Sequence, residues 1–173
     1  MGLKEMRRLD KLDNKIIQFL QKLPNMTHSD IAKEIERSQP AVGARVHKLE
    51  EEGILTLEYG FNFKNAEGIH IVKLDVVTSE PNKVLEITKY CPFVLNCLKM
   101  SGVNNLLIFM ISTDLNKIDK IINHQFRNKP HIESVKMEIV TEFQKDWVFP
   151  INFKIYKLDP CSKSSCKDCA FSD

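Results

Sequence analysis

Apolar residues along the first third of the chain recur at helical spacing in three short blocks. Leu9, Leu12, Ile16, Ile17, Phe19, Leu20 and Leu23 form the first, with Asp10 or Asp13 near its start, where a carboxylate suits the positive end of a helix. Pro24-Asn25 breaks it. Thr27 can cap a second helix from His28 to about Ile35, with Asp30 in a capping-box-like position and Ile31, Ala32 and Ile35 as its buried stripe. Ser38 is a good N-cap for a third, whose first turn tolerates Pro40 and whose inward positions are Val42, Val46 and Leu49. That spacing leaves Gln39, Ala41, Ala44, Arg45 and Lys48 facing out. A short turn around Glu36 to Ser38 separates the last two helices, which is helix-turn-helix spacing. Gly53 ends the third helix, and Ile54 to Phe63 reads as an extended wing or linker strand.

From Ile69 the period changes. Ile69 to Val77 alternates as a strand with Val72, Leu74 and Val76 on one face, and Asn82 to Lys89 is a short helix. Val94 to Met100 and Leu106 to Ile111 are strands split by the turn-forming run Ser101-Gly102-Val103-Asn104-Asn105. Leu115, Ile118, Ile121, Ile122 and Phe126 mark a helix opened by Asp114 or Thr113. Val135, Met137, Ile139, Thr141 and Phe143 alternate with charged residues as a half-buried strand. The order βαββαβ predicts a ferredoxin-like unit. Apolar residues at Trp147, Phe149, Ile151, Phe153 and Ile155 then predict a fifth strand, which Pro150 restricts to an edge or arm.

The fold class is therefore α+β. A winged helix-turn-helix over 1–55 is followed by a linker strand over 56–68, a βαββαβ domain over 69–143, and an extra strand with a Cys-rich tail over 144–173.

Composition adds little to this, and charge adds more. The 173 residues are 43% hydrophobic and 28% charged, too apolar for a disordered chain. No apolar run approaches the roughly 20 residues of a membrane span, and Met1 to Asp13 lacks a signal-peptide core, so a cytoplasmic protein with no membrane partner is expected. The net charge of +2 argues nothing about nucleic acid. Its distribution does. Arg37, Arg45, His47 and Lys48 occur with no acid among them, and Glu50-Glu51-Glu52 follows at once. A basic segment on the third helix is what a DNA-facing element needs. Ser38, Gln39, Ala41, Arg45 and Lys48 are accordingly the candidate DNA contacts.

The run Leu9-Asp10-Lys11-Leu12-Asp13, Ile31-Ala32, Ser38 with Ala41-Val42, and Arg45-Val46-x-x-Leu49-Glu50-Glu51-Glu52-Gly53-Ile54 resemble the leucine-responsive/asparagine-regulator (Lrp/AsnC) family of bacterial and archaeal transcription factors. The βαββαβ segment resembles that family's effector-binding and dimerisation domain, and the likeness spans about residues 7 to 143. It implies a homodimer or larger assembly over a pseudo-palindromic double-stranded operator. The family's Gly-x-x-Asp loop lies near an amino-acid pocket. Here it reads Gly102-Val103-Asn104-Asn105, so Gly102, Asn104 and Asn105 are the candidate effector contacts, with an amide in place of the carboxylate.

The chain has five cysteines, and three fall within Cys161-x4-Cys166-x2-Cys169. Polar neighbours keep this segment out of regular structure, and thiolates ligate zinc and iron–sulfur clusters. A structural zinc wants four protein ligands, and the tail holds no fourth cysteine or histidine. The spacing matches the first three cysteines of plant-type ferredoxins. A cubane-type cluster, 3Fe-4S or 4Fe-4S, is the preferred cofactor, with zinc the alternative. The expected function is DNA-binding regulation, sensing redox state or cluster status through the tail. An amino-acid-responsive regulator with a structural zinc tail is one alternative. A siroheme-decarboxylase-like enzyme, which shares the family's likeness, is another, but no paired acid and base, nucleophile motif or phosphate loop supports catalysis.

Overall fold

Two units divide the chain between Glu58 and Tyr59. The computed structural model describes residues 8–157 and Cys161.

The first unit is built from α1 (Lys11–Lys22), α2 (His28–Glu34) and α3 (Gln39–Glu51). Each helix begins where a side chain satisfies its open N–H groups. The Asp10 carboxylate accepts from Leu12 and Asp13 N–H, both at 2.8 Å, and Asp13 accepts in return from Asp10 N–H at 3.2 Å. Thr27 Oγ1 accepts from Asp30 N–H at 3.2 Å, and Ser38 Oγ from Ala41 N–H at 3.4 Å. Ile16, Ile31, Ala32, Ile35, Val42 and Val46 form one core, the stripes that helical spacing assigns.

Between α2 and α3 the chain reverses at Glu36, whose φ of 54° lies in the left-handed region. Arg37 N–H reaches back to Ala32 C=O at 2.9 Å and closes the end of α2 as a Schellman motif. Residues 54–60 do not form the expected strand. Only Phe61–Asn62 (β1) is extended and paired, and a 3₁₀ turn, Phe63–Asn65, follows. An extended segment becomes a strand only where a second backbone takes its hydrogen bonds.

The second unit contains β2 (His70–Thr78), α4 (Pro81–Tyr90), β3 (Val94–Lys99), β4 (Leu106–Ser112), α5 (Leu115–Ile122) and β5 (Ile132–Ile139). They form an antiparallel sheet in the order β3-β4-β2-β5, the split arrangement of the ferredoxin-like fold. Register runs from His70↔Ser112 to Val76↔Leu106 on one side of β2, and from Val72↔Ile139 to Thr78↔Ile132 on the other. Val72, Leu74 and Val76, with Leu106, Ile108 and Met110 opposite, share a buried cluster with Val84 of α4 and Ile118, Ile121 and Ile122 of α5. The other face carries Lys73, which bridges Asp75 at 3.0 Å and Glu138 at 2.5 Å. Lys136 reaches Glu138 at 2.7 Å, and the two lysines hold that carboxyl down at about 2.

Two expectations about the second half need correction. The last sheet strand ends at Ile139, short of Thr141 and Phe143. The aromatic run after it does not add a fifth strand to that sheet. Val148–Phe149 (β6) pairs with β1 as a separate two-stranded ribbon, and Phe153–Tyr156 is a 3₁₀ turn that buries Ile155. Trp147 covers sheet surface with its ring, 5.1 Å edge-on from Phe109, among Phe63, Phe143 and Phe149. The period of two reflects residues anchoring an irregular segment, which alternation alone does not separate from a strand.

Candidate nucleic-acid interface

On α3, burial of Val42, Val46 and Leu49 turns Gln39, Pro40, Ala41, Ala44, His47 and Lys48 into solvent. Close approach of α2 fixes the helix. A Cβ on Gly43 would stand 3.3 Å from Nδ1 of His28, tighter than side chains normally pack, so glycine lets the two helices meet. The first residues of a helix held this way are those that meet base edges in helix-turn-helix proteins. Ser38 is engaged as the N-cap acceptor, and its hydroxyl proton remains available to a phosphate.

Arg45 lies at the edge of the outward face, its side chain one third exposed and drawn onto α1. Its guanidinium donates to Asp10 at 2.6 Å and to Asp13 at 2.8 Å, and the Asp13 side chain is fully buried. The Asp13 N–H, and then Arg45, hold the Asp10 carboxyl below its ordinary value, and the two carboxylates raise Arg45 in turn. The capping box of α1 is thus bolted to α3. Helical spacing places Asp10 and Asp13 at the start of α1 but does not reveal their partner. The signal was a buried-face aspartate in the first helix and an arginine one turn before the last buried residue of the third.

Beyond Arg45, the cations described on α3 and in the turn before it are Arg37, which donates to the Glu36 carbonyl at 2.8 Å, and the exposed Lys48. His47 lies 3.3 Å from Glu51 across one helical turn.

The candidate effector loop has a different arrangement from the one expected. Gly102 and Asn104 are exposed. The Asn105 amide is closed onto the main chain of β2: Thr78 N–H donates to its Oδ1 at 3.1 Å, and its Nδ2 donates to Thr78 C=O at 2.7 Å. This pair continues the β2–β4 ladder past Val76↔Leu106 with a side chain. An aspartate could accept from Thr78 but, ionised, could not donate to it. The amide therefore has a structural reason that makes no reference to an effector.

Of the tail cysteines, Cys166 and Cys169 lie outside the described residues. Cys161 packs against the core of the second unit, its Sγ 3.8 Å from Nε2 of the buried Gln125, in the π-helical turn Asn123–Arg127 that continues α5. Among the described residues no three His, Cys, Asp or Glu gather as a metal site. No helix among them is long and apolar enough to cross a membrane.

Residues 9–56 match the family model described as winged helix-turn-helix DNA-binding, which defines the first unit as a DNA-binding domain of that class. An uncharacterized HTH-type transcriptional regulator from Pyrococcus horikoshii is 26% identical over 140 residues, covering 79% of this chain and 89% of that protein. The HTH-type transcriptional regulator LrpC of Bacillus subtilis is 24% identical over 138 residues, covering 78% and 94%. The solved structure of E. coli AsnC superimposes with a TM-score of 0.67 at 16% identity, over 80% of this chain and 96% of that one. Residues 9–56 are thus a winged helix-turn-helix DNA-binding domain, and over nearly four fifths of its length the chain is similar to HTH-type transcriptional regulators, LrpC among them, with the fold of AsnC.

Proposed function

We propose that the chain binds a specific pseudo-palindromic operator as a homodimer or larger assembly, and that its cysteine tail couples DNA affinity to redox state or cluster status. The observation that carries the DNA half is α3: capped by Ser38, fixed to α1 by Arg45, exposing Gln39 in its first turn and Ala41, Ala44 and Lys48 along one face. Self-association is supported by the edge position of β3 in its sheet, beside which Leu98, Met100 and Val103 are 42%, 43% and 85% exposed.

Cys161, Cys166 and Cys169 would hold the cluster. The Cys161 sulfur beside an amide N–H has the hydrogen-bonded setting that tunes cluster thiolates. A bound cluster supplies a charge that changes with potential, and this chain's part is to hold it against the second unit. A change in tail packing between the two states would bias the dimer geometry.

The test is protein purified without oxygen. Iron, acid-labile sulfide and visible absorption that disappear in the Cys161→Ser, Cys166→Ser and Cys169→Ser variants, with Cys91→Ser unchanged, support the cluster. Stoichiometric zinc without iron leaves a structural tail instead. Operator affinity unaltered in the triple variant removes the switch.

A further inference from the structure

Buried polar side chains are almost always hydrogen-bonded, and each exception calls for a physical reason, such as a bound ion. Among the described residues three buried side-chain atoms have no partner: both ring nitrogens of His131 and Oε1 of Gln125. The two residues are 6% and 5% exposed. Gln125 lies beside Phe126 in the π-helical turn that continues α5, a form of helix often found at functional sites. The chain then turns twice, with Lys129 N–H donating to Phe126 C=O at 3.1 Å and Ile132 N–H to Lys129 C=O at 3.0 Å. His131 is held at the end of β2, where Thr78 Oγ1 donates to its carbonyl at 2.7 Å. Cys161 meets the same region: Gln125 Nε2 lies 3.8 Å from its Sγ, so the buried amide is aimed at the sulfur.

A neutral imidazole is the commonest metal ligand. Three thiolates and one imidazole make a closed set for a structural zinc, and imidazole also replaces thiolate on iron in some iron–sulfur centres. The second nitrogen of a ligating histidine carries a proton and wants an acceptor, the role that Gln125 Oε1 has unused. We propose that His131 is the fourth ligand of the metal centre formed with Cys161, Cys166 and Cys169, and that Gln125 is a positioning residue for Cys161. This rests on the reading of the tail as metal-binding. Cys166 and Cys169 follow Cys161 by five and eight residues, and a chain that spans at most about 3.5 Å per residue can turn back over that length to share one ion with it. A ligand from the body of the second unit ties the tail to the end of β2 and the start of β5, so loss of the metal releases the tail from them.

The test uses the full chain, reduced and metal-free, titrated with cobalt(II), whose visible bands and X-ray absorption count sulfur and nitrogen ligands. Three sulfurs and one nitrogen are expected. His131→Leu, which leaves an apolar side chain in the same interior, should lose the nitrogen and weaken cobalt binding by more than tenfold. His131→Cys should restore binding with a fourth sulfur. Gln125→Leu should weaken binding roughly 10–100-fold while keeping three sulfurs and one nitrogen. His124→Ala, at an exposed histidine of the same turn, should change nothing. Four sulfurs in the unaltered chain overturn the inference, as does a nitrogen that survives His131→Leu or disappears in His124→Ala. A loss in His131→Leu that His131→Cys does not restore also counts against it. Cobalt bound no more tightly than by the triple serine variant would sink the metal-binding tail itself, and the fourth ligand with it.

Discussion

Arg45 and Asp10 meet at 2.6 Å, joining α3 to the N-cap of α1, 35 residues earlier in the chain. The contact makes an arginine in the middle of a basic segment a part of the domain's frame. With Asp13 added, one guanidinium satisfies the exposed carboxylate of a cap and the buried carboxylate behind it.

Arg45→Ala should therefore act first on folding. It removes the guanidinium that donates to both Asp10 and Asp13, at a cost of about 1–3 kcal/mol for losing charged hydrogen bonds. Thermal unfolding of the first unit checks this. The acid limb gives a second check. The folded state depresses the Asp10 carboxyl from 3.8, so its contribution is complete above that value and is lost as pH falls through the lowered one. Removing Arg45 should shrink that acid-sensitive contribution.

Lys48→Ala should behave in the opposite way. It is exposed on α3, so stability should hold while affinity falls evenly across duplex sequences. The slope of log affinity against log salt should flatten by about one unit for each phosphate that the lysine no longer neutralises. An unchanged slope would remove Lys48 from the interface.

Asn105→Asp tests the side-chain rung on β2. The ionised carboxylate cannot donate to Thr78 C=O, now 2.7 Å from Nδ2, and should destabilise the second unit by about 1–3 kcal/mol near neutral pH. Protonation restores a donor, so the penalty should shrink in acid. Denaturant titrations at neutral and at acid pH distinguish this from an effector-binding role, whose removal would leave the stability of the ligand-free protein unchanged.

Glu36→Gly should stabilise the first unit. A left-handed non-glycine residue costs about 1–2 kcal/mol, and glycine's extra unfolded-state entropy returns part of that gain. A net rise of about 0.5–1 kcal/mol is expected in a melt. A fall would mean that the Glu36 side chain contributes more than its backbone costs.

The helices of the first unit, the caps at Thr27 and Ser38, and the βαββαβ order were legible in the sequence because each rests on local spacing or on a side chain reaching its own backbone neighbours. The same holds for the faces: Val42, Val46 and Leu49 turn inward because an interior must be apolar, and a regular period decides which residues share it. Tertiary structure alone decided the fate of residues whose local pattern permits two environments. Arg45 has the helical position of a surface residue, and only the approach of α1 brings two carboxylates to it. Asn105 sits in a turn-forming run, and only the β2–β4 register puts the Thr78 backbone within reach of both ends of its amide. Trp147 to Ile155 alternates like a strand, yet a strand requires a backbone partner, and β1 offers pairing only as far as Phe149. Periodicity is a property of one segment, while a hydrogen-bond partner belongs to two, and the second is set only when the chain has folded.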